Sequence, residues 1–177
     1  RAVITLSPRA SASMGTFNWA RVLTHELAHT VHLSKTGGRV PRWLTEGLAV
    51  GTENVAFRFE WVPPVLWDAA TNDRIPRIAA LTDTIQNPKR PVDSELGYMT
   101  GCWIGQYIET IGGREAIVKL LHAYSEGKSD DDAFRASVGM SVSEFEPKFH
   151  AWAKELVKTW GYDPETTRKY KALVETG

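Results

Sequence analysis

His25 and His29 stand four positions apart, with Glu26 between them, in Val22-Leu23-Thr24-His25-Glu26-Leu27-Ala28-His29. On a helix this H-E-x-x-H spacing puts the two imidazoles one turn apart, about 6 Å along the axis and on nearly the same face. Two rings so placed can converge on one metal ion. Glu26 lies roughly 100° around the axis from His25, so it can flank the ion without ligating it. That suits a general base acting on a metal-bound water. A zinc site that does chemistry takes three protein ligands and keeps a fourth position open. Glu46, separated from His29 by sixteen residues, is the best candidate for the third ligand.

A bare H-E-x-x-H also arises by chance on amphipathic helices, so its surroundings carry the argument. The metal helix is predicted to start near Thr16, a good N-cap, and to run to about Ser34. Val22, His25, His29 and His32 share a stripe on it. His32 reads as a surface or core histidine, with a supporting place behind a ligand as the alternative. Gly37-Gly38 is a helix stop, and Pro41 suits the first position of a second helix, predicted to reach the high fifties. That helix carries Glu46 among apolar residues in Trp43-Leu44-Thr45-Glu46-Gly47-Leu48-Ala49. A carboxylate on an apolar face is costly to bury unless it is paired or bound to a metal. Glu53, seven residues on, shares the face of Glu46. Metal-bound imidazoles donate their second N–H to a carboxylate or carbonyl, and Glu53 is a candidate for that partner. A solvated helix-end glutamate is the alternative.

H-E-L-A-H followed by W-L-T-E-G-L-A resembles the gluzincin metallopeptidases, most of all their peptidase MA-like branch. The second piece is also similar to the W-L-N-E-G-F-A of aminopeptidase N-like enzymes. The likeness runs from about Phe17 to Glu53, with a weaker echo from Glu95 to Trp152. It implies a zincin-like, mainly helical fold with little sheet, and one zinc ion held by His25, His29 and Glu46 with Glu26 as base. It also implies a glutamate at the offset of Glu53. The gap between His29 and Glu46 is shorter than in aminopeptidase N-like enzymes, and their G-x-M-E-N motif is absent. Recognition of a free substrate amino terminus therefore does not carry over. The metzincin variant is absent too, since His32 stands where that pattern wants glycine.

The chain has 177 residues, with 42% hydrophobic and 24% charged side chains, as in an ordinary globular domain. The reading is one domain over residues 1–177. The opening on Arg1 suits a piece of a longer chain, and by resemblance helical-repeat segments adjoin such domains. Acidic and basic residues balance at 21 each, so nothing argues for a nucleic-acid partner. Cys102 is the single cysteine, which excludes an internal disulfide framework. No stretch has the length and apolarity of a membrane span. Localisation stays open, with an exported or periplasmic setting as one alternative.

Along the rest of the chain, Ala2-Val3-Ile4-Thr5-Leu6 reads as a short strand. By resemblance it borders the substrate cleft; the plainer reading is a strand that starts the fold. Residues 11–15 read as a loop. Between Trp61 and Pro91 prolines punctuate the pattern, with short helices predicted at Val65–Ala70 and Ile78–Ile85. Trp61 and Trp67 read as anchors on the core or as pocket walls. A third helix, capped by Asp93 or Ser94, is predicted to end before Gly112-Gly113. Gly97, Gly101 and Gly105 recur on it every four residues, which suggests close approach to another helix. Further helices are predicted over Arg114–Ser125, after Ser129, and after the capping box Ser141-Val142-Ser143-Glu144, with a last one from Asp163-Pro164 to Val174. Gly127-Lys128-Ser129 lacks the first glycine of a P-loop and is set aside.

Gluzincins supply a His or Tyr that helps hold the oxyanion of the tetrahedral intermediate. His122 reads as part of a core helix. Tyr98 projects from the edge of the glycine stripe and would point toward the zinc if that stripe packs on the metal helix. A core aromatic is the alternative. Tyr107 is the fallback, nine residues on and so about 180° away on the wheel, so one phenol at most faces the metal. The expected function is zinc-dependent hydrolysis of a peptide or protein substrate. A non-catalytic zincin-like interaction module and a hydrolase of a non-peptide bond are the alternatives.

Overall fold

A computed structural model describes residues 19–53, 62–162 and 165. The described residues form seven helices and no strand. They are α1 (Trp19–Lys35), α2 (Arg42–Thr52), α3 (Val62–Thr71), α4 (Ile78–Gln86), α5 (Pro91–Ser125), α6 (Asp130–Val138) and α7 (Val142–Lys158). This is the mainly helical architecture expected. The predicted strand at 2–6, the loop at 11–15, the helix start near Thr16, Trp61 and the last helix to Val174 fall largely or wholly outside the described residues.

The turn from α1 to α2 is built by its glycines. Gly37 and Gly38 have φ of 60° and 80°, a region that costs other residues their Cβ clearance. Gly38 N–H donates to the Leu33 carbonyl at 2.9 Å and closes the end of α1. The buried Thr36 hydroxyl then accepts from Val40 N–H at 3.3 Å. Arg39 ties the turn to the far end of α5 through the Ser125 carbonyl at 3.0 Å. Pro41 is the N-cap of α2, one position before the predicted place.

Helix α2 lies between α1 and α5, and most of its residues are buried. It ends at Thr52, short of the predicted high fifties. Glu53 N–H turns back to the Val50 carbonyl at 3.1 Å, three residues behind, and the Thr52 hydroxyl donates to the Ala49 carbonyl at 2.7 Å. These tight i−3 bonds close the last turn.

The glycine stripe of α5 does make close approaches, but its partners are α2 and α4. Gly101 crosses Gly47 so closely that a Cβ on Gly101 would fall 2.6 Å from the Trp43 carbonyl oxygen. Gly105 faces Leu48, and Gly97 faces Ile85 of α4. The close approach to another helix is as expected, but the condition attached to Tyr98, that the stripe pack on the metal helix, is not met. α5 presses on the helix that carries Glu46. Glycine at position 47 of α2, opposite Gly101, lets the two backbones come within this distance.

Helix α5 begins at Pro91, with Arg90 as N-cap. Asp93 is not the cap; it sits at the third helical position, where its carboxylate accepts Arg90 N–H at 2.9 Å. Proline at the first position leaves no stranded N–H, so the helix starts earlier than a search for Asp or Ser suggests. The same reason lets α3 start at Val62 and include Pro63-Pro64 in its first turn. A break at Gly113 (φ 67°, ψ −176°) divides α5 into the two predicted helices. The second half packs on α6, and the Tyr124 hydroxyl donates to Asp130 at 2.8 Å. Ser129 caps α6 by accepting from Asp132 N–H, and Ser141 caps α7 with Glu144 returning the bond, as predicted. Phe134, Phe145 and Phe149 are fully buried there with Leu120, Ile104 and Ile108. Trp67 packs against this core. His122 is exposed rather than part of the core. It falls on the outer face of α5, one turn before Glu126.

Among the described residues no helix is long and apolar enough to cross a membrane.

Candidate metal centre and cleft

His25 and His29 leave α1 on one side, toward α2, where Glu46 rises to meet them. Their rings stand edge to face, with centroids 4.7 Å apart and planes at 83°. His25 Nε2 and His29 Nε2 are 3.0 Å apart. Glu46 Oε2 lies 3.3 Å from the first and 3.2 Å from the second. The three side chains form a group able to hold one metal ion.

The opposite edges of both rings are occupied. His25 Nδ1 is 2.8 Å from Glu53 Oε1. A carboxylate only accepts, so Nδ1 carries the proton, and the neutral ring turns its lone pair inward at Nε2. His29 Nδ1 sits 2.8 Å from the Thr45 hydroxyl, which is able to accept its proton and so leave the Nε2 lone pair facing the same point. Two imidazole lone pairs and a carboxylate oxygen then converge on one point. Without a cation or a proton among them they repel one another. Ligands about 2.0–2.1 Å from a tetrahedral ion lie roughly 3.3 Å from each other. The observed separations of 3.0, 3.3 and 3.2 Å match that edge length. The residues present therefore fit a small tetrahedral cation.

Glu53 is 6% exposed and is not a solvated helix end. Its second oxygen accepts from Arg21 Nη1 at 3.3 Å, so one carboxylate links α1 to α2 behind His25. His32 lies behind the site. Its Nδ1 is 3.3 Å from the hydroxyl of Thr45, which thereby bridges His29 and His32. Burial holds the His32 pKa below the usual imidazole value, and the neighbouring His29 and His25 add to this. Burial pushes the Glu46 carboxyl up. When protons rather than a cation sit between these groups, hydrogen bonds from His25 and His29 and the charges of His29 and Arg42 outweigh it and hold its pKa at about 2.

A cleft of about 480 Å³ opens over these groups. Glu26 and Tyr98 both line it, with Leu33 and Val40 as apolar wall and Arg42 bringing a positive charge. Glu26 and Tyr98 are each half-buried. Tyr98 reaches the cleft from α5 although that helix packs on α2, because α2 is only one helix away from the histidines. Tyr107 goes elsewhere: its ring packs with Phe145, Phe149 and Trp152 of α7.

Sequence reasoning missed Arg42 and Thr45. Arg42 Nη2 donates to Glu46 Oε1 at 2.9 Å. The i,i+4 spacing of an arginine and a glutamate was the available signal. Thr45 carried none beyond its place next to Glu46, because a hydroxyl's partner across two helices is a tertiary fact.

No curated protein and no solved structure matches the chain. The sequence model of the Peptidase MA superfamily matches residues 10–155, which contain α1 to α6, most of α7 and every residue of the cleft. On that match, joined to the helical fold that sets these histidines and Glu46 together, the chain belongs to the Peptidase MA superfamily.

Proposed function

We propose that this chain is a zinc-dependent peptidase that cleaves peptide or protein substrates, with His25, His29 and Glu46 as the ligands of one zinc ion. The observation that carries the proposal is the triangle of Nε2, Nε2 and Oε2 atoms, with sides of 3.0 to 3.3 Å, at the floor of a cleft that also holds Glu26 and Tyr98. Zinc held there supplies a Lewis acid that lowers the pKa of a water and polarises a carbonyl.

The chain's own groups do the rest. Glu26 follows His25 on α1 and borders the ligands without belonging to them. Its carboxylate takes the proton of the attacking water and passes it to the leaving amine. The Tyr98 phenol donates a hydrogen bond to the oxyanion of the tetrahedral intermediate. Glu53 keeps His25 in the tautomer that presents Nε2, and the Thr45 hydroxyl, as acceptor of the His29 Nδ1 proton, supports the same tautomer there. Leu33 and Val40 offer an apolar wall to a substrate side chain.

The test is metal content by mass spectrometry together with cleavage of a random peptide library. One zinc per chain and zinc-dependent cleavage are expected. A zinc-loaded protein inert on the library would favour a non-catalytic interaction module, and turnover of esters alone would favour a hydrolase of another bond.

A further inference from the structure

The two oxygens of Glu46 face different groups. Oε2 meets His25 and His29, while Oε1 accepts from Arg42 Nη2 at 2.9 Å. Glu46 itself is buried, whereas the Arg42 side chain is 50% exposed and reaches forward over one turn of α2. Both line the cleft.

A carboxylate can ligate a metal through one oxygen or through both. Capture through both oxygens of Glu46 would occupy the position that a catalytic zinc site leaves open. We infer that Arg42 is a positioning residue that holds Glu46 Oε1 aside, so that Glu46 offers the ion Oε2 alone and the fourth position stays free. The inference rests on the metal centre proposed above and adds to it the state of one ligand. Arginine suits the role because its guanidinium keeps its charge under all ordinary conditions and presents donors in a fixed plane. Carboxylate ligands are commonly restrained by such outer hydrogen bonds.

A surface ion pair with no bearing on the metal is the competing explanation, and affinity alone does not separate the two. Deleting Arg42 removes a restraint on Glu46, which weakens binding. It also removes a positive charge beside a cation, which strengthens it. Coordination number is the readout that a merely structural pair would not move.

The experiment loads the full chain with Co2+ in place of zinc and records the visible absorption. Four-coordinate Co2+ absorbs several-fold more strongly than five-coordinate Co2+. Wild type should give the intense four-coordinate bands. Arg42→Ala should give the weaker five-coordinate bands at equal Co2+ content, and Arg42→Lys, with one ammonium in place of the fork, should lie nearer wild type. Far-UV circular dichroism checks that the variants are folded. Loss of Co2+ uptake by a folded Arg42→Ala protein overturns the inference, since Arg42 would then be holding Glu46 in place rather than holding one of its oxygens aside. Superposable wild-type and Arg42→Ala spectra at equal metal content overturn it. Wild type that takes up no Co2+ overturns the metal centre itself, which keeps the two failures distinct.

Discussion

His25 Nε2 and His29 Nε2 face each other across 3.0 Å, while the Nδ1 atom of each ring is held by a different residue of the neighbouring chain segment. In the proposed zinc site the two inward lone pairs would serve one ion. His29→Ala should therefore lose zinc, as two remaining ligands rarely hold it tightly. Thermal unfolding with added zinc checks this. Wild type should gain about 2.7 kcal/mol at free zinc a hundredfold above its Kd, and His29→Ala should gain none. Full zinc occupancy in the variant would end the ligand assignment.

Glu26→Gln keeps the shape of the side chain but cannot take a proton. It should leave zinc content and melting temperature near wild type and lower peptidase activity by at least about a hundredfold. Turnover retained in Glu26→Gln would remove the general base from the mechanism.

Tyr98→Phe deletes one hydroxyl from the cleft wall. Zinc content and Tm should barely change, while kcat should fall about ten- to a thousandfold, as for loss of one oxyanion donor. An unchanged kcat, or a fall in KM and kcat together with a lost fold, would return Tyr98 to the role of a packing residue.

Glu53→Ala removes the acceptor behind His25 Nδ1 and the partner of Arg21. Zinc affinity should weaken about 10- to 100-fold, as for other groups that orient a metal-bound imidazole. Competition with a chelator of known strength measures it. An unaltered Kd would show that the ring holds its tautomer without Glu53.

Gly47→Ala and Gly105→Ala should behave differently although both lie at the same helix crossing. A Cβ on Gly47 would come 2.5 Å from the Gly101 carbonyl oxygen and 2.6 Å from Cys102 N, backbone atoms that cannot step aside. A cost of at least about 3 kcal/mol is expected, at or above the usual range for overpacking, with loss of zinc because Glu46 is the adjacent residue. A Cβ on Gly105 meets only the end of the Leu48 side chain at 3.2 Å. Its crowding is offset by up to about 1 kcal/mol of helix propensity, so Tm should move little. Equal effects of the two substitutions in chemical denaturation would contradict this picture of the α2–α5 contact.

The sequence by itself determined the features that short-range geometry dictates. The four-position spacing of His25 and His29 obliges both rings to leave one helix on one side. Gly37-Gly38 obliges that helix to stop, Ser141 with Glu144 starts α7, and most of the helices are legible from their period and caps. A carboxylate amid the apolar residues of α2 marked Glu46 as a residue in need of a partner. Tertiary structure alone decided which surfaces meet. It set the glycine stripe of α5 against α2 rather than α1, because Gly47 opens a backbone surface close enough to receive Gly101. It sent Tyr98 to the cleft and Tyr107 to the aromatic core, a choice that a helical wheel cannot make. It also divided the oxygens of Glu46 between the histidines and Arg42, and gave Thr45 to His29. Periodicity assigns a side chain to a face of its own helix; the atom that it meets depends on how that helix crosses the next.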